Sequence, residues 1–176
     1  MIKVNYEARK IYLTGEICET MTLEFIETIS IFNASENPID IIFASFDGGC
    51  CSSGIAMKDV LMASPCMITA YALGQVSSMA AILYASCDHR AISQSSCLMF
   101  HNAALYPNEG EVIKTEELLT AAKFFLKDME DDCKFLSEQS DRPPAFWRKG
   151  MEGKDFILDA EKALECGIAD KIGVPR

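Results

Sequence analysis

The chain lacks a long apolar run and a basic cluster, and each absence excludes a class of location or partner. Without about 18 consecutive apolar residues it offers no candidate membrane-spanning helix, and Met1–Glu7 does not have the layout of a signal peptide. The net charge of −10 makes nucleic acid and anionic membranes poor partners. We therefore expect a cytoplasmic protein that binds neither nucleic acid nor membrane.

Disulfides and metal sites are also not expected. The eight cysteines are scattered and include no C-x-x-C pair, which indicates reduced, mostly buried thiols in a reducing compartment. No linker divides the 176 residues, so we predict a single domain over 1–176. The apolar fraction of 49% is high for a monomer and favours surfaces buried between subunits.

Strand and helix patterns alternate through the first hundred residues. The predicted strands are Lys10–Gly15, Ile39–Ser45, Cys66–Leu73, His89–Ser93 and Cys97–Asn102, and the predicted helices are Thr20–Ala34, Ser52–Ala63 (capped by Ser52) and Val76–Cys87. Such an order is typical of an α/β fold with a parallel sheet and right-handed crossovers.

The second half is dominated by one helix. A polar loop, Tyr106–Lys114, precedes a helix predicted over Thr115–Ser140, whose apolar side carries Leu118, Leu119, Ala122, Phe125, Leu126, Met129, Cys133 and Leu136. At about 1.5 Å per residue this helix is longer than a domain of this size needs, so we expect part of it to project into a partner. A short helix (Ala145–Met151), a brief strand (Phe156–Leu158) and a last helix capped by Asp159 complete the chain.

Gly74–Met79 is the first candidate for chemistry. We expect the preceding strand to break at Gly74 and a helix to start near Val76, so that a serine, Ser77 or Ser78, projects from the turn as acyl-transfer nucleophiles do. For an isolated motif of this kind, a capped helix start is the more common explanation.

The groups that would assist such a serine are only partly defined by spacing. His101 closes an apolar strand at the sheet edge where ligands collect, whereas His89 sits in a polar connector and is expected at the surface. Gly48-Gly49 would let a substrate approach its backbone N–H groups, although on its own it predicts only a turn. The 26 acidic residues leave the acid that orients the histidine open.

Taken together, these motifs resemble the Clp protease proteolytic subunit (ClpP) family of serine peptidases over about residues 10–172. The family pattern Gly-Gln-x-x-Ser-Met matches Gly74–Met79 and places the nucleophile on Ser78. The family's Met-x-His matches Met99–His101, and its aspartate before an Ala-x-x-Ala-x-x-x-Gly helix matches Asp155. Its Ser-Pro-Gly-Gly turn aligns with Phe46–Gly49; Asp47 and Ala80 depart from the usual proline and glycine.

The resemblance implies a serine endopeptidase with the ClpP/crotonase-like ββα spiral. Ser78, His101 and Asp155 would form the triad, the backbone N–H groups of Gly49 and Met79 the oxyanion hole, and a handle region, about 103–140, would join stacked rings of a homo-oligomer. The substrate would be polypeptide, and the implied mechanism would need no metal and no cofactor. A Clp-type ATPase unfoldase is a candidate partner, although the chain begins about ten residues before its first predicted strand, so we expect the family's N-terminal loop and first helix to be missing.

Two other functions fit parts of the sequence. A crotonase-type acyl-CoA enzyme would share the fold and oxyanion hole, but the chain has no basic patch for the CoA phosphates. A catalytically silent ring subunit would keep the fold without the chemistry. A source in bacteria or phage fits equally well.

Overall fold

The structure, a computed structural model, describes residues 1–103 and 112–175. The strands are β1 (Ile2–Asn5), β2 (Lys10–Ile17), β3 (Ile39–Gly49), β4 (Ile68–Ser77), β5 (His89–Ile92), β6 (Cys97–Phe100), β7 (Phe156–Asp159) and β8 (Lys171–Ile172). The helices are α1 (Glu19–Phe32), α2 (Cys51–Met62), α3 (Met79–Ala85), α4 (Thr115–Glu138), α5 (Pro144–Met151) and α6 (Ala160–Glu165).

Within the described residues the strands form one mixed sheet that branches at β4. Its main order is β1-β2-β3-β4-β5-β8, parallel except for the β1–β2 hairpin. The first half of β4 pairs with β5, and its last three residues pair with β6, which in turn pairs antiparallel with β7. The predicted α/β fold class is confirmed, and the branch carries β6 and β7 away from the main sheet.

The core lies between the sheet and the helices α1, α2 and α3. Apolar residues of β3 such as Ile39, Ile41 and Phe43 are fully buried, as expected for a strand covered on both faces. Phe25 and Ile29 of α1 and every residue of α3 join the same core. Removal of this apolar surface from water is the main stabilising contribution to the fold.

The prediction that Lys10–Gly15 is the first strand was wrong. Ile2–Asn5 already forms β1, which pairs with β2 in a hairpin. Alternate β1 residues Ile2 and Val4 pack on the core, and the Asn5 side chain accepts a hydrogen bond from the Ala8 N–H and so closes the turn. A four-residue strand with only two inward apolar residues gives too weak a periodicity to identify from sequence.

The strand through Gly74 was also predicted wrongly, because it does not end there. Gly74, at φ +74°, lets β4 bend and continue to Ser77, and its N–H donates to Ser96 Oγ at 2.7 Å. The neighbouring β3 bends at the same level, where Ser45 also has a positive φ and the β3–β4 register shifts. β3 therefore runs on through Asp47-Gly48-Gly49, which is strand and not turn, and Gly49 pairs with Ile17.

Smaller differences concern helix ends and thiols. The helix expected to be capped by Ser52 begins at Cys51, with Cys50 at the cap position and no side-chain cap, whereas Asp159 caps α6 as predicted by accepting from the Lys162 N–H at 2.9 Å. His89 is exposed, as predicted. The cysteines are not mostly buried: Cys66, Cys87, Cys133 and Cys166 are buried, but the other four are exposed or half-buried, and all eight are free.

The long helix α4 packs on the chain mainly through its second half, in which Met129 is partly buried against the core. Cys133, Phe135 and Leu136 are buried, and α5 and α3 are its neighbours. Leu118, Leu119, Phe124 and Leu126 are each more than half exposed. The projection expected for this helix is thus present in the single chain. Residues 104–111 of the predicted handle region, including most of the predicted polar loop, lie outside the described residues.

None of the helices in the described part of the chain is both long enough and apolar enough to cross a membrane.

Candidate active site

Ser78 occupies the junction between β4 and α3. Its backbone has φ 56° and ψ −131°, a region that residues other than glycine rarely adopt and that costs about 1–3 kcal/mol. Its N–H donates to the Met99 carbonyl at 2.7 Å, which ties the junction to β6. The chain reverses within one residue here, so the Ser78 side chain projects out of the sheet edge.

The neighbouring Ser77 is held in the interior. Only 2% of its surface is exposed, and its Oγ accepts a hydrogen bond from Gln75 Nε2 at 2.9 Å. Ser78 is half-buried and borders a cavity. Of the two serines, Ser78 is the one that a substrate could reach.

Strand register brings His101 and Asp155 to the same place. Parallel pairing of Ser77 with Met99 sets β6 beside the end of β4, and His101 follows β6 directly. Antiparallel pairing of Phe100 with Phe156 then places Asp155 opposite His101. Three segments distant in sequence therefore converge because the sheet branches at β4.

The distances between the three side chains show one hydrogen bond and one longer, ion-pair contact. His101 Nε2 lies 2.8 Å from Ser78 Oγ, a normal hydrogen bond. His101 Nδ1 lies 3.6 Å from Asp155 Oδ1, within ion-pair range but longer than a hydrogen bond, and the Asp155 side chain is 61% exposed. Ser78 and His101 are thus already paired, whereas the carboxylate has not closed on the ring.

Gly48 touches the Ser78 turn, a contact that the sequence did not predict. A Cβ built on Gly48 would lie 2.8 Å from Ser78 Cβ and 3.1 Å from the Met79 nitrogen, and its φ is +90°. A Cβ on Gly49 would instead meet the backbone of Ile17, at 2.6 Å from its oxygen. The two glycines thus make different close contacts: the backbone of β3 approaches Ser78 at Gly48 and approaches β2 at Gly49.

We expect Gly48→Ala to lower peptide hydrolysis by about 100-fold or more, because its methyl group would displace Ser78 from His101. Gly153→Ala is the matched control, since Gly153 also has a positive φ (+67°) but nothing lies within 4 Å of its added Cβ. Steady-state kinetics and circular dichroism of both variants provide the test. Equal activity losses would show that backbone strain, not contact with Ser78, is responsible.

An aromatic cluster packs against the residues that adjoin His101 and Asp155 in the sequence. Trp147 of α5 makes edge-to-face contacts with Phe100, Phe146 and Phe156 at centroid distances of 5.2, 5.4 and 6.0 Å. Phe100 directly precedes His101 and Phe156 directly follows Asp155. Trp147 is fully buried, and its Nε1–H donates to Ser140 Oγ at 3.1 Å. The indole therefore holds together the two strand ends that carry these side chains.

Trp147→Ala should lower the free energy of unfolding by about 3–5 kcal/mol, the range for removing a fully buried large aromatic side chain. Trp147→Phe retains most of the packing but loses the bond to Ser140, so its cost should be markedly smaller. Urea unfolding at one fixed protein concentration measures both. Similar values for the two variants would contradict the assigned role of the indole packing.

Two connected cavities adjoin Ser78. The smaller, about 40 Å³, is lined by Ser78 and His101, and the larger, about 180 Å³, opens beside it. Much of the shared wall is apolar, with Met79, Met151 and the half-buried Cys51, and Ile55 and Met129 extend it. Asn102, whose Nδ2 donates to the Met151 carbonyl at 3.2 Å, belongs to the wall of the larger cavity. The space suits one side chain of a substrate bound at Ser78.

The larger cavity also has a charged side. Asp128, Asp131 and Asp132 of α4 face Lys58 of α2 across it. Burial raises the pKa of Asp132 to about 6, an effect that Lys58 opposes and that Asp128 and Asp131 reinforce. No sequence signal linked α4 to the serine, because these aspartates read as the polar side of an amphipathic helix. In the part of the chain that the structure describes, no group of three or more His, Cys, Asp or Glu side chains is arranged to hold a metal ion.

Comparisons with known proteins agree with this architecture. The family model described as Clp protease matches residues 1–176. Among solved structures, a mutant of ClpP1 from Listeria monocytogenes superposes with a TM-score of 0.85 at 20% sequence identity, over 97% of this chain and 94% of that one. At this identity the structural likeness establishes the fold, whereas the family match extends over the whole chain and supports a peptidase. The chain is therefore a member of the Clp protease family.

Proposed function

We propose that this protein is a serine endopeptidase that hydrolyses peptide bonds through an acyl-enzyme on Ser78. The observation that carries the proposal is the 2.8 Å contact between His101 Nε2 and the Oγ of a serine held at φ 56°. A hydroxyl group attacks a carbonyl carbon efficiently only when a base removes its proton, and the distance of His101 from Ser78 supports it in that role.

In acylation, Ser78 Oγ would bond to the carbonyl carbon of the substrate as its proton passes to His101 Nε2. For Nε2 to accept it, the ring must carry its hydrogen on Nδ1, the nitrogen that faces Asp155 at 3.6 Å. Asp155 would favour this tautomer and stabilise the imidazolium that follows. Its distance would shorten to a hydrogen bond in the working enzyme.

The tetrahedral intermediate would place its negative oxygen between the N–H groups of Met79 and Gly49. Met79 begins α3 directly after the nucleophile, and Gly49 ends β3 next to Gly48, which packs on the same turn. On collapse, His101 would return the proton to the leaving amine, and a water activated by His101 would then release the acyl group. This scheme needs neither a metal nor a cofactor.

The exposed part of α4 supports a homo-oligomer, in which the handle region joins stacked rings. Its exposed leucines and Phe124 would leave water on assembly. A polypeptide would then be the substrate, cleaved inside the chamber that the rings enclose, in the cytoplasm. A Clp-type ATPase unfoldase stays a candidate partner. The two other functions have less support. Among the described residues, the larger cavity is lined by three carboxylates and one lysine, which is a poor match for the CoA phosphates that a crotonase-type enzyme binds. A catalytically silent subunit would not require the hydrogen bond between Ser78 and His101.

The proposal is tested by incubating the purified protein with fluorogenic peptides, an unfolded polypeptide and an acyl-CoA thioester. We expect cleavage of the peptides and the polypeptide, inhibition by phenylmethanesulfonyl fluoride, no inhibition by EDTA, and no turnover of the thioester. Turnover of the thioester alone would favour the crotonase-type enzyme. A properly assembled protein without activity toward any substrate would favour the silent subunit.

A further inference from the structure

The cavity beside Ser78 has an unusual combination of walls for a site that accepts one substrate side chain. One side is apolar and formed by methionines, and the opposite side, from α4, is acidic. An apolar channel that ends at a carboxylate matches a lysine or arginine side chain, which has an aliphatic stem and a cationic head. A purely apolar side chain would leave the acidic end without a partner.

Of the three aspartates of α4, Asp132 lies nearest to Ser78 in the cavity walls. It borders both cavities, including the smaller one lined by Ser78, whereas Asp128 and Asp131 border only the larger. Asp131 is already paired, with Lys127 at 2.7 Å and Lys134 at 3.5 Å. Among the described residues, Asp132 makes no hydrogen bond and no ion pair within 4.0 Å.

Lys58, the one lysine among the described residues of the cavity wall, does not neutralise Asp132 by direct contact. Its ammonium group stacks on the Phe135 ring, 4.8 Å from the centroid, and no carboxylate of the described residues lies within 4.0 Å of it. Burial is the largest influence on Asp132 and outweighs the attraction of Lys58, so its pKa is raised to about 6. Asp132 is half-buried, so its carboxylate loses part of its hydration without gaining a bonded cation, a cost that a cationic substrate group would offset.

We propose that Asp132 is a specificity-determining residue, and that it selects lysine or arginine at the residue that supplies the scissile carbonyl. This inference rests on the proposed function. The carbonyl carbon must reach Ser78 Oγ with its oxygen near Met79, and the side chain of that residue then lies closest to the cavity walled by Met79 and Asp132. The cation would pair with Asp132, while the stem lies along Met79 and Met151.

The test uses two matched probes, peptidyl diphenyl phosphonates that carry lysine or norleucine at this position. Ser78 Oγ bonds to phosphorus and displaces one phenoxide, so the rate of labelling reports fit in the cavity. Norleucine has the lysine stem without the charge. We expect wild-type protein at pH 7.5 to react at least about tenfold faster with the lysine probe, as removal of a desolvated charge partner predicts.

Asp132→Asn should reduce this preference to about threefold or less, mainly by slowing the lysine probe. Asp131→Asn is the matched control, because Asp131 lies on the same helix and borders the same cavity but is already paired. It should leave the preference unchanged. Fluorogenic peptides with the same two residues should show the same ratio in kcat/KM.

The preference should also depend on pH. As pH falls through about 6, Asp132 gains a proton and loses its charge, so the lysine preference should decline in wild type and not in Asp132→Asn. The other titratable or charged groups around Asp132 are Lys58 and Cys51 from α2, Asp128 and Asp131 from α4, and His101 after β6. Asp132→Asn keeps all of these groups, so a decline of the lysine preference that they cause would persist in this variant.

The outcomes separate this inference from the proposed function. If Ser78 reacts with both probes and norleucine reacts as fast as lysine or faster, the specificity of Asp132 is wrong and the peptidase stands. If lysine is preferred and Asp132→Asn retains the preference, another group selects it and the inference is equally wrong. If neither probe modifies Ser78 in the assembled protein, both proposals are overturned.

Discussion

Replacing Ser78 by alanine should lower kcat for peptide hydrolysis by roughly 10⁴–10⁶-fold, the loss expected when the nucleophile of a triad is removed. KM should change little, since the cavity walls remain. The variant should also fold, because alanine removes only an Oγ atom whose partner, His101, is partly exposed.

Ser77→Ala is the matched control for this result. The two serines are adjacent, but Ser77 is buried and its Oγ accepts from Gln75 Nε2, so its removal should leave kcat within about threefold. If both variants lose turnover to a similar extent, the substitutions have disturbed the turn between β4 and α3, and the loss in Ser78→Ala is then not specific to its hydroxyl group. A Ser78→Ala protein that hydrolyses peptides at the wild-type rate would contradict the proposal.

Weakening the handle should lower activity per subunit by at least about tenfold, although the substitution lies far from Ser78. The physical reason is the 3.6 Å separation of His101 Nδ1 and Asp155 Oδ1 in the single chain. Asp155 follows α5, which packs on α4, so docking of α4 in an assembly can move the carboxylate toward the ring. The relay should then be complete only when the handle is docked.

Phe125→Ala tests this coupling, because Phe125 lines a groove on the projecting part of α4 with Phe124 and Ala121. Lys123→Ala, on an exposed position of the same helix, is the control. Particle mass and peptide hydrolysis are measured together over a range of protein concentrations. We expect activity to fall as the Phe125→Ala particle dissociates and to recover on concentration. Dissociated subunits as active as the assembled particle would show that the handle is only a structural clamp.

Much of the fold was predictable because buried strands and amphipathic helices have clear periods. The Ile39–Ser45 run and the α4 pattern identified their elements directly, whereas β1 has only Ile2 and Val4 facing inward and carries no such signal. The position of Gly74 was correctly noted but wrongly interpreted, since glycine breaks a strand or bends it with equal ease. Which of the two occurs depends on Ser96 and on Ser45, which are distant in sequence.

Part of the candidate site was likewise predictable from the sequence, and part became visible only in the structure. Local motifs identified Ser78, His101 and Asp155 through the family resemblance, and register now explains their convergence. The role of Gly48 follows only from the distance between its missing Cβ and Ser78. The position of Asp132 beside the cavity could not be predicted from the sequence. Helix periodicity shows which side of α4 is polar, but it does not show which cavity that side borders.

The most direct test of the account is to locate the adduct that a fluorophosphonate leaves on the wild-type protein. Intact mass should show one label per chain, and tandem mass spectrometry of the tryptic peptide between Lys58 and Arg90, which contains both Ser77 and Ser78, should place it on Ser78. Prior treatment with the peptide phosphonates should block it. An adduct on Ser77, or no adduct on either serine in the assembled particle, would contradict the assignment of Ser78 as the nucleophile.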